Sequence, residues 1–207
     1  MSHIFITGIG TEIGKTVISA IVVEALEADY FKPIQAGDLD NSDTHKVKRL
    51  VSNANSKFHE SAYKLNTPMS PHASAEIDNI TISAKNLKRP STQNTLVIEG
   101  AGGVLVPLNG TEMIIDLITK DDQVIVVSKH YLGSINHTLL TIEALKARGL
   151  KIAGIIFNGE ENPTTEEIIL SQTQLSLLGR IEEEPYIDEA VVRYYAAQWK
   201  ENLKKIK

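Results

Sequence analysis

The chain has 207 residues, 42% of them apolar and 23% charged, with a formal net charge of −5. Those values exclude a disordered or fibrous protein, are enough for one substantial core, and leave no basic face for a nucleic-acid backbone, so nucleic acid is not an expected partner. The absence of cysteine excludes disulfides, zinc–thiolate sites, iron–sulfur clusters and cysteine nucleophiles together.

The first apolar run of strand length is His3–Thr7, and a helix-like stretch, Lys15–Ala28, follows shortly after it. Between them lies Gly8-Ile9-Gly10-Thr11-Glu12-Ile13-Gly14-Lys15-Thr16. Strand, glycine-rich turn, Lys-Thr and helix in this order read as a phosphate cradle: backbone N–H groups close on phosphate oxygens, Lys15 reaches the terminal phosphates and the Thr16 hydroxyl ligates magnesium. The spacing is irregular, because G-x-x-x-x-G-K-[ST] would place its first glycine at Ile9. A Gly-Lys-Thr at a strand-to-helix turn can also be an ordinary connection. Three glycines, an apolar strand just before them and an acidic motif further on favour the cradle.

Further strand-length runs are Tyr30–Lys32, Thr95–Glu99, Gln123–Ser128, Ile152–Asn158 and Leu177–Ile181. Helical spacing marks Ser42–Val51, Ser134–Arg148, Pro163–Ser171 and Asp188–Lys205. The alternation predicts an α/β fold, a single P-loop NTPase-like domain over residues 1–207 whose central, mainly parallel sheet carries helices on both faces. Val191, Tyr195, Trp199 and Leu203, four residues apart, form a stripe expected to pack on the sheet. Between Asn53 and Asn94 the pattern is weak, and a long loop with short helices is expected there.

Ligands of open parallel sheets collect at the carboxyl ends of the strands. Glu99 closes an apolar run and precedes Gly100-Ala101-Gly102-Gly103, where a metal-binding carboxylate of a phosphate-loop enzyme would sit. Asp43, just inside a helix start, reads equally well as a first-turn carboxylate. Lys32, at a strand end before Pro33, can hold an anion or lie in solvent. Ser134 reads as a helix cap that leaves N–H groups free for a carboxylate. The six histidines lack metal-ligand spacing. No apolar run approaches the ~18 residues of a membrane span, and no leader precedes the first strand, so a cytoplasmic protein without a membrane partner is expected.

Taken together, Thr11-Glu12-Ile13-Gly14-Lys15-Thr16, Lys32-Pro33-Ile34-Gln35-Ala36-Gly37, Asn41-Ser42-Asp43, Ser70-Pro71-His72, Val97-Ile98-Glu99-Gly100-Ala101-Gly102-Gly103 and Gly133-Ser134-Ile135-Asn136-His137 resemble the dethiobiotin synthetases. That family carries the same lengthened phosphate loop. The resemblance implies an ATP-dependent ligase of biotin synthesis, which carboxylates diaminopelargonate with CO₂ and closes the ring through a carbamic–phosphoric anhydride. It implies phosphate contacts from Glu12, Ile13, Gly14, Lys15, Thr16 and Val17, and magnesium held by Thr16, Asp43 and Glu99. Lys15, Lys32 and Thr11 become the catalytic groups, the last two meeting the carbamate.

The resemblance extends the nucleotide site to Gly100, Ala101, Gly102, Asn158 and Gly159, with Glu182, Glu183, Glu184 and Glu189 on the adenine side. It extends the substrate site to Ala36 and to Gly133, Ser134, Ile135 and Asn136, across the interface of a homodimer. Two departures stand out. Ala36 replaces a hydroxyl residue, for which Gln35 is a candidate substitute, and Gly179-Arg180-Ile181 runs into Glu182-Glu183-Glu184 rather than into proline. ParA- or MinD-like ATPases differ in carrying a lysine where Gly10 stands, GTPases in an Asn-Lys-x-Asp motif, and cobyrinic-acid amidases in a cysteine nucleophile. Replacement of Lys15 or Lys32 by alanine is expected to abolish turnover and leave the fold intact.

Overall fold

The computed structural model describes residues 3–206. In chain order these form β1 (His3–Gly8), α1 (Lys15–Leu26), β2 (Asp29–Phe31), β3 (Ile34–Ala36), α2 (Asp43–Leu50), β4 (Phe58–His59), β5 (Tyr63–Leu65), α3 (Pro71–Ile77), β6 (Leu96–Gly103), β7 (Asp122–Lys129), α4 (Ser134–Ala147), β8 (Lys151–Asn158), α5 (Pro163–Thr173), β9 (Leu177–Ile181) and α6 (Glu189–Lys204). Seven strands make one sheet in the order β4-β2-β6-β1-β7-β8-β9, and every described pairing in it is parallel. β3 and β5 form a separate parallel pair.

The apolar runs alternate sides as the pleat requires, so each strand feeds two cores. Ile4, Ile6, Val97, Ile125, Val127 and Ile156 face α1, α2 and α6. Phe5, Ile98, Val124, Val126, Ile155 and Phe157 face α3, α4 and α5. α1 is enclosed by the sheet, α2 and α6, which is why Ile18, Ala20, Ile21, Val22 and Val23 are all fully buried. In α6 the buried stripe is Val192, Tyr195, Ala196, Trp199 and Leu203, with Val191 at its margin. A helix advances about 3.6 residues per turn, so a strict spacing of four drifts off the buried face.

Three expectations are revised. The 53–94 segment holds two short strands, β4 and β5, besides the short helix α3; strands of two or three residues are too short to show a period. Glu99 does not close its strand: β6 runs on through the glycines, with a register shift opposite β1 that pairs Gly8 with Gly103. Gly8 leaves room for the turn that follows, since a Cβ there would lie 2.1 Å from the Ile13 side chain, whereas a Cβ on Gly103 would meet the Gly8 carbonyl oxygen at an ordinary 3.5 Å. Ser134 is the first residue of α4, not its cap: the cap position is Gly133 at φ 104°, and no side chain caps it.

Candidate active site

The turn after β1 delivers its residues to the start of α1, where Gly14 takes a left-handed conformation (φ 89°). Only glycine fits, since a Cβ there would lie 2.3 Å from the Asn158 amide nitrogen. That same nitrogen donates to the Ile13 carbonyl at 2.8 Å, so the end of β8 braces the loop. Lys15 is buried, and its Nζ donates to the Gly10 carbonyl at 2.7 Å. Burial lowers its pKa to about 8, against the opposing pull of Glu99.

A charged cluster lies beside the loop. Lys32 Nζ is 2.5 Å from Asp43 Oδ2 and 2.8 Å from Glu99 Oε1, and both Lys32 and Glu99 are buried. The Thr16 hydroxyl donates to the same Glu99 oxygen at 3.0 Å, and the Tyr30 hydroxyl donates to Glu99 Oε2 at 2.8 Å. Burial alone would lower the Lys32 pKa, but Glu99 and Asp43 reverse the sign and raise it. Burial likewise opposes the Asp43 carboxylate, yet Lys32, helped by Lys46, holds its pKa below the usual range. Asp43 is set by α2, whose Ser42 cap accepts from the His45 N–H, and by Gln35, whose Oε1 accepts the Asp43 N–H at 3.1 Å.

One cavity of about 680 Å³ gathers Thr11 through Val17, Lys32, Ala36, Asp43, Glu99, Ala101 and Gly102. Gly100 points away, toward Phe5 and Ile114. Asn158 lies against the loop outside the cavity lining, and Gly159 follows it, donating its N–H to the Ile181 carbonyl. Glu182 lies beside a different pocket between β9 and α6, Glu184 accepts from Tyr195, and Glu189 opens α6; neither they nor Glu183 line the cavity. Gly133, Ser134, Ile135 and Asn136 lie at the start of α4, also outside it. A shallow apolar pocket of about 280 Å³ lined by Gly10, Leu105, Leu140 and His137 runs toward them, and Thr11 lines both hollows.

Over residues 2–191 the chain matches the family described as "AAA domain". It is 66% identical to the "ATP-dependent dethiobiotin synthetase BioD" of Christiangramia forsetii, with 96% of each chain covered. The chain belongs to the dethiobiotin synthetase family. The protein of the same name from Cytophaga hutchinsonii is 47% identical, with 98% of each chain covered. Among solved structures, the cell division ATPase MinD of Pyrococcus furiosus superposes with a TM-score of 0.61, covering all of both chains at 16% identity. That last likeness is one of fold.

In this dethiobiotin synthetase family member the donor set suits magnesium. Thr16, Asp43 and Glu99 offer oxygen alone, as a hard cation prefers, and leave room for water and phosphate oxygens. Among the described residues no cluster of three or more His, Cys, Asp or Glu competes as a metal site. Lys32 bridges the two carboxylates and offsets one of their two negative charges. Gln35 lines the cavity beside Ala36, and its amide accepts the Asp43 N–H and donates to the Gly37 carbonyl, with one N–H and one lone pair remaining. The sequence reading missed Tyr30 and the wall formed by Pro68, Met69, Ser70 and Pro71. The Ser70-Pro71 pair was the available signal for the wall. Tyr30 looks like any core aromatic in an apolar strand.

Proposed function

We propose that this chain joins CO₂ to diaminopelargonate at the expense of ATP and closes the ureido ring of dethiobiotin. The observation that carries the reading is the meeting of Lys15, just after β1, Lys32, just after β2, and Glu99, within β6, in one cavity, in a chain 66% identical to a named synthetase. One amine of the substrate and CO₂ give a carbamate with loss of a proton. A carbamate oxygen attacks the γ-phosphorus, the bond to the bridging oxygen breaks and ADP departs. The second amine then attacks the anhydride carbon, phosphate leaves, and that amine gives up a proton.

The protein contributes position and charge. Lys15 and the backbone N–H groups of residues 12–17 hold the triphosphate. Lys32, kept charged by its two carboxylates, shifts its ammonium to the carbamate, and Thr11 donates from the opposite side. Magnesium, held by Thr16, Asp43 and Glu99, would neutralise charge on the phosphates. Asn158 and Gly159 border the base, and the Glu182–Glu184 turn beyond Ile181 adjoins them.

Diaminopelargonate extends from Thr11 along the apolar pocket, and the N–H groups at Gly133–Asn136 of a second copy receive its carboxylate. Leu105, Leu132, Ile135 and Leu140 support this homodimer, being apolar and exposed around the same helix start. The enzyme is placed in the cytoplasm, where ATP is available. No described helix is long and apolar enough to cross a membrane.

Incubation with diaminopelargonate, bicarbonate and MgATP tests the reading by mass spectrometry. Dethiobiotin formed in step with ADP is expected; ATP hydrolysis without dethiobiotin would reject it.

A further inference from the structure

The two oxygens of Glu99 have unequal surroundings. Oε1 faces the phosphate loop and accepts from Thr16 and Lys32, at 3.0 and 2.8 Å. Oε2 accepts from Tyr30 at 2.8 Å. Tyr30 is fully buried in β2, paired in register with Val97 of β6 and Phe58 of β4, and its ring lies in the core beneath α1. The phenol therefore has no solvent to turn to. A buried hydroxyl gives up its partner only at the full cost of an unmet donor, so this bond fixes which oxygen of Glu99 is turned to the cavity.

We propose that Tyr30 is a positioning residue that makes Glu99 a one-oxygen ligand and so selects magnesium over calcium. This rests on Thr16, Asp43 and Glu99 being the magnesium-holding groups. Magnesium is small, demands near-octahedral geometry and takes one oxygen from a carboxylate; calcium is larger, accepts six to eight oxygens and readily takes both oxygens of a carboxylate. An oxygen that already accepts a phenol proton from a fixed direction is a poor second donor to a large cation. Removing the phenol hydroxyl frees the carboxylate to rotate and to chelate.

Tyr30→Phe keeps the ring and deletes the donor. The measurement is calorimetric titration of the ADP complex with Mg²⁺ and, separately, with Ca²⁺, for wild type, Tyr30→Phe and Glu99→Gln. The magnesium-to-calcium affinity ratio is expected to fall about tenfold in Tyr30→Phe, the scale typical of groups that orient metal ligands. A general loosening of the fold would weaken both ions together and leave the ratio unchanged, and that result overturns the proposal. Wild-type magnesium affinity in Glu99→Gln would remove the metal reading beneath it. If Tyr30→Phe does not fold, 3-fluorotyrosine placed at position 30 supplies the second measurement. Its fluorine resonance should differ between the Mg²⁺ and Ca²⁺ complexes with ADP, and identical positions overturn the proposal.

Discussion

Two buried ammonium groups line this cavity, and burial wins over the neighbouring carboxylates at one and loses to them at the other. Lys15 has a single carbonyl partner, and burial lowers its pKa to about 8; the unfavourable cost of its charge is present below pH 8 and fades as pH rises toward the ordinary lysine value. Bound phosphate favours the charged form, so ADP binding near pH 8 should take up protons and should weaken as pH rises above 8. Calorimetry in two buffers of different ionisation enthalpy reads this directly, and Lys15→Met should abolish the uptake.

Lys32 is the reverse case. Its pKa is raised, it stays charged at neutral pH, and its removal strands Glu99 and Asp43 beside each other. Lys32→Ala should lose turnover and also about 3 kcal/mol of stability in chemical denaturation, the usual scale for an uncompensated buried charge. The expectation of an intact fold, drawn from the loop and from Lys32 at a strand end, did not include that burial, which no single-residue signal in the chain discloses.

At the scale of elements, close contacts fix the frame around the site. A Cβ on Gly179 would lie 2.4 Å from the Trp199 ring, so β9 and α6 meet through a position that tolerates no side chain. Gly179→Ala should cost about 1–3 kcal/mol, as overpacking does, and should lower the denaturation midpoint without changing the nucleotide contacts. Gly14→Ala should do more, combining a left-handed backbone with a clash against Asn158, and nucleotide affinity should fall with stability in a titration of the variant.

The elements were readable from sequence where apolar runs were long. β7, β8 and β9 lie within one residue of their expected bounds, because short apolar runs such as Val124–Val127 and Ile155–Phe157, set between helical stretches, have few alternatives to a buried parallel strand. β3, β4 and β5 were not readable, and neither was the passage of β6 through Gly100–Gly103, since glycine carries no strand signal of its own. Lys15, Thr16, Lys32 and Glu99, which all line one cavity, were legible as candidates because phosphate chemistry constrains their order. The partner of Glu99 on β2 was not, because the bond between them spans 69 residues of sequence.

For the molecule as a whole, the exposed apolar group near the start of α4 bears on assembly. Leu132 is fully exposed, and Leu105 and Leu140 are more than half exposed. Sedimentation equilibrium should give twice the 22.8 kDa chain mass, and Leu140→Asp should shift the species toward the monomer. A wild-type chain that sediments as a monomer at every concentration would count against a shared substrate site.

The enclosure of α1 has a further consequence for motion. The phosphate loop hangs from a helix walled in by sheet, α2 and α6, whereas the opposite rim, residues 68–71, is a short link from the two-stranded β3–β5 ribbon to α3. Amide deuterium uptake should therefore be slowest in the body of α1, Ile18–Leu26, and indifferent to ligand there, while added nucleotide and substrate slow it in the phosphate loop and along the rim. Lys15 would then be the fixed jaw of a vice, and the rim at residues 68–71 the jaw expected to travel.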